Sequence, residues 1–327
     1  MLMPKLSYRE ASLAAVQQSM RSDPAVWCVG EDLGRGGVFG QYKGLREEFG
    51  EARISDAPIS EAAIMGAALG AAMMGTRPIV EMRFSDFALC ATDELVNQIA
   101  KARFMFGGQS RAPMVIRKPM GLWRSSAAQH SQSLESWYAH IPGLVVACPG
   151  TPQDNYSMLK AAIACDDPVV YLEHKGIWDI EGDVDFSEEF EFGKARIRRA
   201  GSDVTIVSWS NTANIAVEAA DTLTEKGVSA EVVDLRSLWP WDKTAVLTSV
   251  AKTGHLVVAH ESVAVAGFGA EVIATVAEKA GHTLKGPVRR LGAPRSLVSY
   301  APNLEDQLRV TSEMIVTAAQ DTLEKAS

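Results

Sequence analysis

The sequence predicts an α/β protein built from two doubly wound sheet domains. Short apolar runs typical of buried strands, such as Val26–Gly30 and Val204–Trp209, alternate along the chain with segments of helical periodicity. A length of 327 residues is enough for two domains that each bury a core. We place a first domain at 1–180, an acidic linker at 181–196 and a second domain at 197–327, because the acidic stretch lacks any regular hydrophobic pattern.

Composition excludes several classes of function. The formal charge of -8 and the pI near 5.4 argue against a surface for nucleic acid or anionic membranes. The cysteines are far apart and form no CxxC pair, which argues against a zinc site and a disulfide framework. The N-terminus has no apolar signal region, and the most apolar helix is too short to cross a bilayer. We therefore expect a soluble protein of a reducing compartment, the cytoplasm.

The stretch from Arg53 to Phe84 is the most informative part of the sequence. Ser60 is placed to cap a helix, and Glu61 falls in its first turn. The following segment, Ala62–Met74, is small and apolar, so we expect it to be buried all round. Glu61 is then either an exposed residue that favours the helix dipole or a group drawn inward, where desolvation favours proton exchange near neutral pH.

Two further polar sites follow predicted strands. Glu31 and Asp32 come directly after the strand Val26–Gly30, at the carboxyl end where open α/β sheets bind ligands. The alternative for Glu31 is an ordinary solvated loop carboxylate. His130 lies in a polar loop before a helix, a better position for chemistry than an apolar stripe, although a single histidine is more often structural. Segment 93–106 is predicted to be helical.

Several motifs together resemble one enzyme family. DAPISEAAIMGAALGAAMMGTRPIVE, SDF, AAQHSQSLESWYAHIPG and DDPVVYLE are similar to the beta subunit of the E1 component of 2-oxo acid dehydrogenases. That family uses thiamine diphosphate and includes pyruvate, branched-chain and acetoin dehydrogenases. The resemblance is collinear over nearly the whole chain, as far as RSLWPWD and AGFGAE. It implies a transketolase-like fold, with a pyrimidine-binding domain followed by a transketolase C-terminal-like domain.

The resemblance also implies half an active site. In the family a separate alpha subunit holds the diphosphate and Mg²⁺ through a GDG motif, and no GDG occurs in this sequence. A lone thiamine enzyme would need its own place for two phosphates and a metal. We therefore expect an α2β2 heterotetramer with the cofactor between alpha and beta chains, and a lipoyl-bearing E2 as the next partner.

By resemblance, individual residues receive roles at the cofactor. Glu61 would hydrogen-bond N1′ of the aminopyrimidine, with apolar Ile59 beside it. Phe87 would pack on the pyrimidine, unless it is an ordinary core residue. Glu31 matches an acidic residue near the cofactor that takes part in proton communication between paired sites. His130 matches an active-site histidine that steadies the intermediate and assists acyl transfer to the lipoyl group.

Two features of the resemblance bear on cations and on the substrate. The family has a monovalent cation site, usually K⁺, and the matching positions are Met114, Ala162, Ile163, Cys165 and Asp167. Cys165 stands where relatives often have Asp. Trp123 stands where relatives carry small residues, so it would narrow or reshape the pocket. The segment RFSDFALCATDE favours the acetoin branch slightly over the pyruvate branch.

Two other functions stay open from the sequence. One is a transketolase-like half-enzyme that moves ketol units without lipoyl transfer, which a neighbouring gene for a lipoyl-bearing E2 would exclude. The other is a non-catalytic protein that keeps the fold for assembly. That function is disfavoured because Glu61 and His130 are both present.

Overall fold

The computed structural model describes residues 3–324, which divide into two compact units. The first contains the residues up to Met120 together with Trp137–Glu191, and the second contains Gly121–Ser136 together with the residues from Phe192 onward. Both have the α/β composition that the sequence predicts. The boundaries at 180 and 197 stay predictions, although part of segment 181–196 forms a strand rather than a linker.

The predicted apolar runs Val26–Gly30 and Val204–Trp209 form strands with the same first residue and a last residue within one position. In chain order the strands are β1 Lys5–Ser7, β2 Val26–Gly30, β3 Ile54–Asp56, β4 Arg77–Glu81, β5 Val115–Met120, β6 Val145–Ala147, β7 Val169–His174, β8 Glu181–Asp183, β9 Arg196–Arg199, β10 Val204–Ser208, β11 Ala230–Asp234, β12 Ser237–Trp239, β13 Leu256–Val263 and β14 Arg289–Ala293.

The α-helices alternate with these strands. They are α1 Tyr8–Ser22, α2 Leu45–Phe49, α3 Glu61–Met73, α4 Ala102–Met105, α5 Glu135–Ala139, α6 Pro152–Ala164, α7 Ser210–Glu225, α8 Lys243–Thr253, α9 Gly269–Ala280, α10 Pro302–Glu305 and α11 Ser312–Glu324. Among the described residues no helix is long and apolar enough to cross a membrane.

The sheet of the first unit is parallel, in the order β6-β7-β5-β4-β2-β3. From β2 the chain runs outward to β3 and then returns to β4 on the other side of β2. The strand order therefore reverses at β2, and in open α/β sheets ligands bind in the crevice at such a point. Outside this sheet, β1 pairs antiparallel with β8.

The sheet of the second unit has the order β14-β13-β10-β11-β9, with only the β9 edge antiparallel. Its core lies between the sheet and the helices α7 and α11, where small and branched apolar side chains pack together. The central strands β10, β11 and β13 are almost entirely buried and appear in sequence as largely apolar runs, which is why they were predictable.

Two local predictions in the first unit were wrong. The hydroxyl of Ser60 donates to the carbonyl oxygen of Pro58 at 2.9 Å and makes no cap contact with α3. The helix α3 is not buried all round, because the face that includes Ala62, Gly66 and Gly70 is exposed. The prediction that segment 93–106 is helical is confirmed, with a π-helical stretch at Glu94–Ile99 before the short α4.

Candidate active site

The predicted site residues of the first unit lie around the carboxyl ends of β2 and β4. These strands are neighbours, and β2 ends at Gly30 while β4 ends at Glu81. A Cβ atom at position 30 would lie 2.8 Å from the Cβ atom of Glu81. Glycine therefore lets the two strand ends approach closely, and it places Glu31 at the same edge as Glu81.

Glu31 is buried rather than solvated, so the alternative of an ordinary loop carboxylate is wrong. Its side chain is 10% exposed and accepts a hydrogen bond from the guanidinium of Arg83 at 3.2 Å. The same guanidinium lies 3.2 Å from Asp32, whose backbone is left-handed at φ 58°. Arg83 thus holds the acidic pair after β2 in a fixed arrangement.

Glu61 is the first residue of α3 and is half-buried. Ile59, two residues before it, is 77% exposed, which is unusual for a large apolar side chain at a helix start. The exposed face of α3 continues along the helix from there. The carboxylate therefore stands beside an apolar surface that residues 3–324 leave open.

Phe87 begins a 3-10 turn, Phe87–Ala91, that packs against α3. Its ring meets that of Phe84 edge to face, with centroids 5.4 Å apart. Phe84 in turn lies edge to face on Phe39 and carries the ammonium of Lys175 at 4.8 Å from its ring centroid. Phe87 is half-buried at the border of this aromatic cluster, so part of its surface remains accessible.

Glu81 is a buried carboxylate that the sequence analysis missed. It accepts a hydrogen bond from the hydroxyl of Tyr42 at 2.9 Å, and its Oε1 has no hydrogen-bond partner among residues 3–324. Burial raises the pKa of Glu81 to about 7, although the nearby positive charge of Arg117 opposes that shift. The only sequence signal was an acidic residue at the end of an apolar strand, the same signal that singled out Glu31.

Arg117 supplies the positive charge for this buried cluster. Its guanidinium donates two hydrogen bonds of 2.8 Å to the carboxylate of Glu173 and one of 3.1 Å to the hydroxyl of Ser12. Asn155 adds a bond of 3.1 Å to the same carboxylate. The side chains of Arg117 and Glu173 are 0% and 1% exposed, so the pair depends on these contacts to offset lost hydration.

His130 belongs to the second unit, in a segment without regular structure between Gly121 and Glu135. It is half-buried, and its backbone amide donates to the carbonyl oxygen of Ala127 at 3.4 Å. Arg124, Ser125 and Ala127 have positive φ values of 47°, 56° and 59°. Such left-handed residues are strained unless they are glycine, and they concentrate at functional loops.

The candidate K⁺ ligands lie near α6, and several of them contact arginine side chains. Arg77 donates to the carbonyl oxygens of Ile163 and Cys165 at 3.2 and 3.0 Å. The carboxylate of Asp167 accepts from Arg103 at 2.6 Å. The carbonyl oxygens of the two remaining positions, Met114 and Ala162, accept hydrogen bonds from backbone amides. Positive charge is therefore already supplied at Ile163, Cys165 and Asp167, three of the five positions that a K⁺ ion would use.

Two family models cover most of the chain. The model described as "Transketolase, pyrimidine binding domain" matches residues 4–179, and "Transketolase, C-terminal domain" matches residues 193–315. Among solved structures, a split-gene transketolase described as an inactive β4 tetramer has a TM-score of 0.82 and covers 98% of this chain and 99% of its own. At 23% identity this likeness shows the fold alone, and it confirms the transketolase-like architecture.

Several curated relatives match over nearly the full chain. The beta subunit of an acetoin:2,6-dichlorophenolindophenol oxidoreductase from Cupriavidus necator is 42% identical, with 98% of each chain covered. A 2-oxoisovalerate dehydrogenase beta subunit from Bacillus subtilis is 37% identical, covering 98% of this chain and 100% of its own. A mitochondrial pyruvate dehydrogenase E1 beta subunit from Oryza sativa is 40% identical, with coverages of 97% and 86%.

These relatives are beta subunits of dehydrogenases and oxidoreductases, which favours that class over the transketolase alternative. The family motif around Glu61 lies at the start of α3. The motif around His130 lies in the segment between Gly121 and Glu135. The chain belongs to the family of E1 beta subunits of the thiamine diphosphate-dependent 2-oxo acid and acetoin dehydrogenases.

Proposed function

We propose that this beta subunit forms half of an active site, which an alpha subunit completes in an α2β2 heterotetramer. The observation that carries the proposal is the position of Glu61 beside the exposed Ile59 and the exposed face of α3. A contiguous apolar surface of this kind marks an interaction site. A second chain seated there would bury Glu61 and enclose a cofactor between the two subunits.

Other exposed side chains of the first unit support such a partner. Phe104 is 87% exposed, Met105 72% and Met74 85%. Large apolar side chains exposed singly need no explanation, but these follow one another at the ends of α3 and α4. An alpha subunit covering them accounts for their exposure.

Within that site the residues of this chain have distinct roles toward thiamine diphosphate. The bound cofactor supplies an electron sink for the carbon–carbon cleavage. Glu61 fits as the group that holds a proton against N1′ of the aminopyrimidine, since a carboxyl can both donate and accept there. Phe87 and Ile59 offer apolar surface to the ring. Glu31, held by Arg83, places a second carboxyl group at the end of β2, where proton communication between paired sites would need one.

The diphosphate and its Mg²⁺ are assigned to the alpha subunit. Residues 3–324 contain no group of three or more His, Cys, Asp or Glu side chains placed to hold a metal ion. Mg²⁺ is bound through carboxylates together with substrate phosphates in sites of this kind. A partner chain that carries the GDG motif supplies that arrangement.

His130 is assigned to acyl transfer rather than to the first bond cleavage. An imidazole can exchange protons near neutral pH, as transfer of an acyl unit to a lipoyl thiol requires. The acceptor is then the lipoyl group of an E2 partner. The position of His130 in a loop without regular structure suits a group that meets a second substrate.

The substrate is acetoin or a pyruvate-like 2-oxo acid. The relatives named above act, by their names, on acetoin, 2-oxoisovalerate and pyruvate, so the identities do not separate these substrates. Trp123 is a half-buried ring that carries the guanidinium of Arg124 at 5.1 Å from its centroid. A ring of this size in the histidine-bearing segment favours small substrates over branched ones.

A K⁺ site is not favoured by the contacts in this chain. The carbonyl oxygens of Ile163 and Cys165 accept hydrogen bonds from Arg77. A K⁺ ion would have to use their second lone pairs beside a guanidinium, against like-charge repulsion. We therefore assign no step of the reaction to K⁺.

The test compares Glu61→Gln with the wild-type chain, each assembled with its alpha subunit. We expect the variant to assemble and to lose about 100-fold or more of its substrate cleavage, because the amide cannot exchange a proton at N1′. Reduction of 2,6-dichlorophenolindophenol with acetoin, pyruvate and 2-oxoisovalerate measures the rate for each substrate. The matched control is Glu47→Gln, an exposed glutamate in the first turn of α2.

Near-normal cleavage by the Glu61→Gln complex would contradict the role of Glu61. Activity of the isolated beta chain, without an alpha subunit, would contradict the shared site. Equal rates for all three substrates would contradict the selection that we assign to Trp123.

A further inference from the structure

The loop that carries His130 is held at its base by one carboxylate. We call residues 121–136 the histidine loop. Glu261 accepts a hydrogen bond from the backbone amide of Leu122 and another from the hydroxyl of Ser133, each at 2.9 Å and both on Oε1. These donors lie on either side of His130 along the chain. A single oxygen atom therefore closes the segment that contains the histidine.

The histidine loop needs such an anchor because its backbone is strained. Arg124, Ser125 and Ala127 all have positive φ values, which side chains other than glycine rarely adopt. Conformations of this kind persist only where the surroundings fix them, and they are found at functional sites. Without a fixed base, these residues would relax and the imidazole of His130 would move.

The position of Glu261 in β13 explains how its carboxylate reaches the loop. The pairing of β13 with β14 shifts register between Ala259 and Val263, which is a bulge or irregularity. Such irregularities re-aim side chains near active sites. The neighbours His260 and Ser262 are buried and bond to each other, whereas Glu261 is half-buried and on the opposite face of the strand.

The far end of the histidine loop is fixed independently. The hydroxyl of Ser136 accepts a hydrogen bond from the backbone amide of Phe268 at 2.8 Å. The buried carboxylate of Glu135 accepts from the indole of Trp209 at 3.1 Å. Removal of Glu261 would therefore loosen the loop from Leu122 to Ser133 and leave the end at Glu135 in place.

We propose that Glu261 is a positioning residue for His130 in acyl transfer to the lipoyl group. It touches neither substrate nor cofactor in this role and acts through the two ends of the histidine loop. The inference rests on the function proposed above for His130. Glu261, a residue of β13 in the second unit, would then determine the rate of acyl transfer to the lipoyl group.

The test uses Glu261→Ala and Glu261→Gln in the assembled E1 complex with a lipoyl domain as acceptor. Because a small misplacement of a catalytic group is costly, we expect Glu261→Ala to slow reductive acylation about 10–100-fold while substrate cleavage changes less than about threefold. Glu261→Gln keeps an oxygen that can accept both hydrogen bonds, so it should restore most of the rate. Ser133→Ala, which removes one of the two bonds, should fall between them.

A second readout does not depend on activity. Hydrogen exchange of the backbone amides of 122–133 should be faster in Glu261→Ala than in the wild-type complex, while exchange in β10 stays the same. The control variant is Glu218→Ala, because Glu218 lines the same 250 Å³ surface cleft as Glu261 and is exposed. Its exchange and both of its rates should match the wild type.

The outcomes separate the inference from the proposal on which it rests. If His130→Ala slows acylation but Glu261→Ala and Ser133→Ala do not, the inference alone is overturned. If His130→Ala changes neither rate, the role of His130 is wrong and the inference falls with it. Unchanged exchange at 122–133 in Glu261→Ala would show that the carboxylate does not hold the loop, whatever the rates.

Discussion

The two sheets of this beta subunit bury their ionisable groups to different degrees. In the first unit, the ionisable side chains of Glu81, Arg117 and Glu173 are buried together. In the second unit, the hydroxyl of Thr205 bonds to Ser249 at 2.7 Å, and a buried histidine, His260, lies stacked on Trp209. The first sheet therefore buries both partners of an ion pair, whereas in the second sheet the buried carboxylate of Asp234 pairs with Arg198, whose side chain is 18% exposed.

The difference follows the chemistry that each sheet supports. Glu81 ends β4, and β4 pairs with β2, the strand that precedes Glu31. The charged cluster therefore lies behind the edge of the sheet where the cofactor is proposed to bind. Buried charges are retained at a cost in hydration, and they give a fixed electrostatic field. The second unit fixes its histidine loop with the carboxylate of Glu261. We expect the first sheet to be the more sensitive to loss of a charge.

The largest expected effect is at Arg117. Arg117→Met leaves Glu173 and Glu81 as buried carboxylates without a positive partner, so we expect the free energy of unfolding to fall by about 3–5 kcal/mol. The control is Arg103→Met, because Arg103 pairs with Asp167 at 2.6 Å but the two side chains are 46% and 42% exposed. That exposed pair should contribute less than about 1 kcal/mol. Denaturant unfolding of both variants measures the difference.

Equal losses for Arg117→Met and Arg103→Met would remove the contrast between the buried and the exposed ion pair of the first unit. They would mean that the first unit relaxes and rehydrates its carboxylates after the substitution. An m-value for Arg117→Met well below that of the wild type would point to the same relaxation, since it reports less surface exposed on unfolding.

Much of this fold could be predicted from the sequence, because strands buried on both faces appear as short apolar runs. The exposed face of α3 could not, since small apolar residues look the same whether the chain itself or a partner covers them. The burial of Glu81 depends on Tyr42 and Arg117, which are distant in sequence. Likewise, 139 residues separate Leu122 from Glu261, so no local pattern joins them.

The candidate site was predictable to the extent that motifs mark it. Glu61, Glu31 and Phe87 were placed by resemblance, and the structure brings their elements to one edge of the first unit. The partner of Glu31, Arg83, was not recognised as such. An arginine in a loop is commonly solvated, and only the geometry shows that it fixes two carboxylates.

The next effect is a pH dependence from Glu81. Its pKa is about 7 in the folded chain against an ordinary value of 4.5, so between these values the folded state binds more protons than the unfolded state. The stabilisation from this group is therefore complete below pH 4.5 and is lost as the pH rises towards 7. The loss in the free energy of unfolding reaches about 3 kcal/mol at pH 8. Glu81→Gln should be more stable than the wild type at pH 8 and nearly equal to it at pH 4.5. Denaturant unfolding at both values measures this, and a difference independent of pH would contradict the assignment.

The smallest expected effect has the opposite sign and belongs to the second unit. Burial lowers the pKa of His260 to about 4, from an ordinary 6.5. The unfolded state therefore binds more protons between these values, and stability falls as pH drops through that window. The loss should be about 1–1.5 kcal/mol at pH 5.5, and absent above pH 7. In His260→Phe, which can keep the stack on Trp209, this loss of stability in acid should disappear.

Hydrogen exchange of β10 and β13 at pH 5.5 and 7 locates the effect, because the strands of the first unit respond to Glu81 in the opposite direction. If β2 and β4 lost protection on acidification as β13 does, the two sheets would share one titration and the contrast between them would fail.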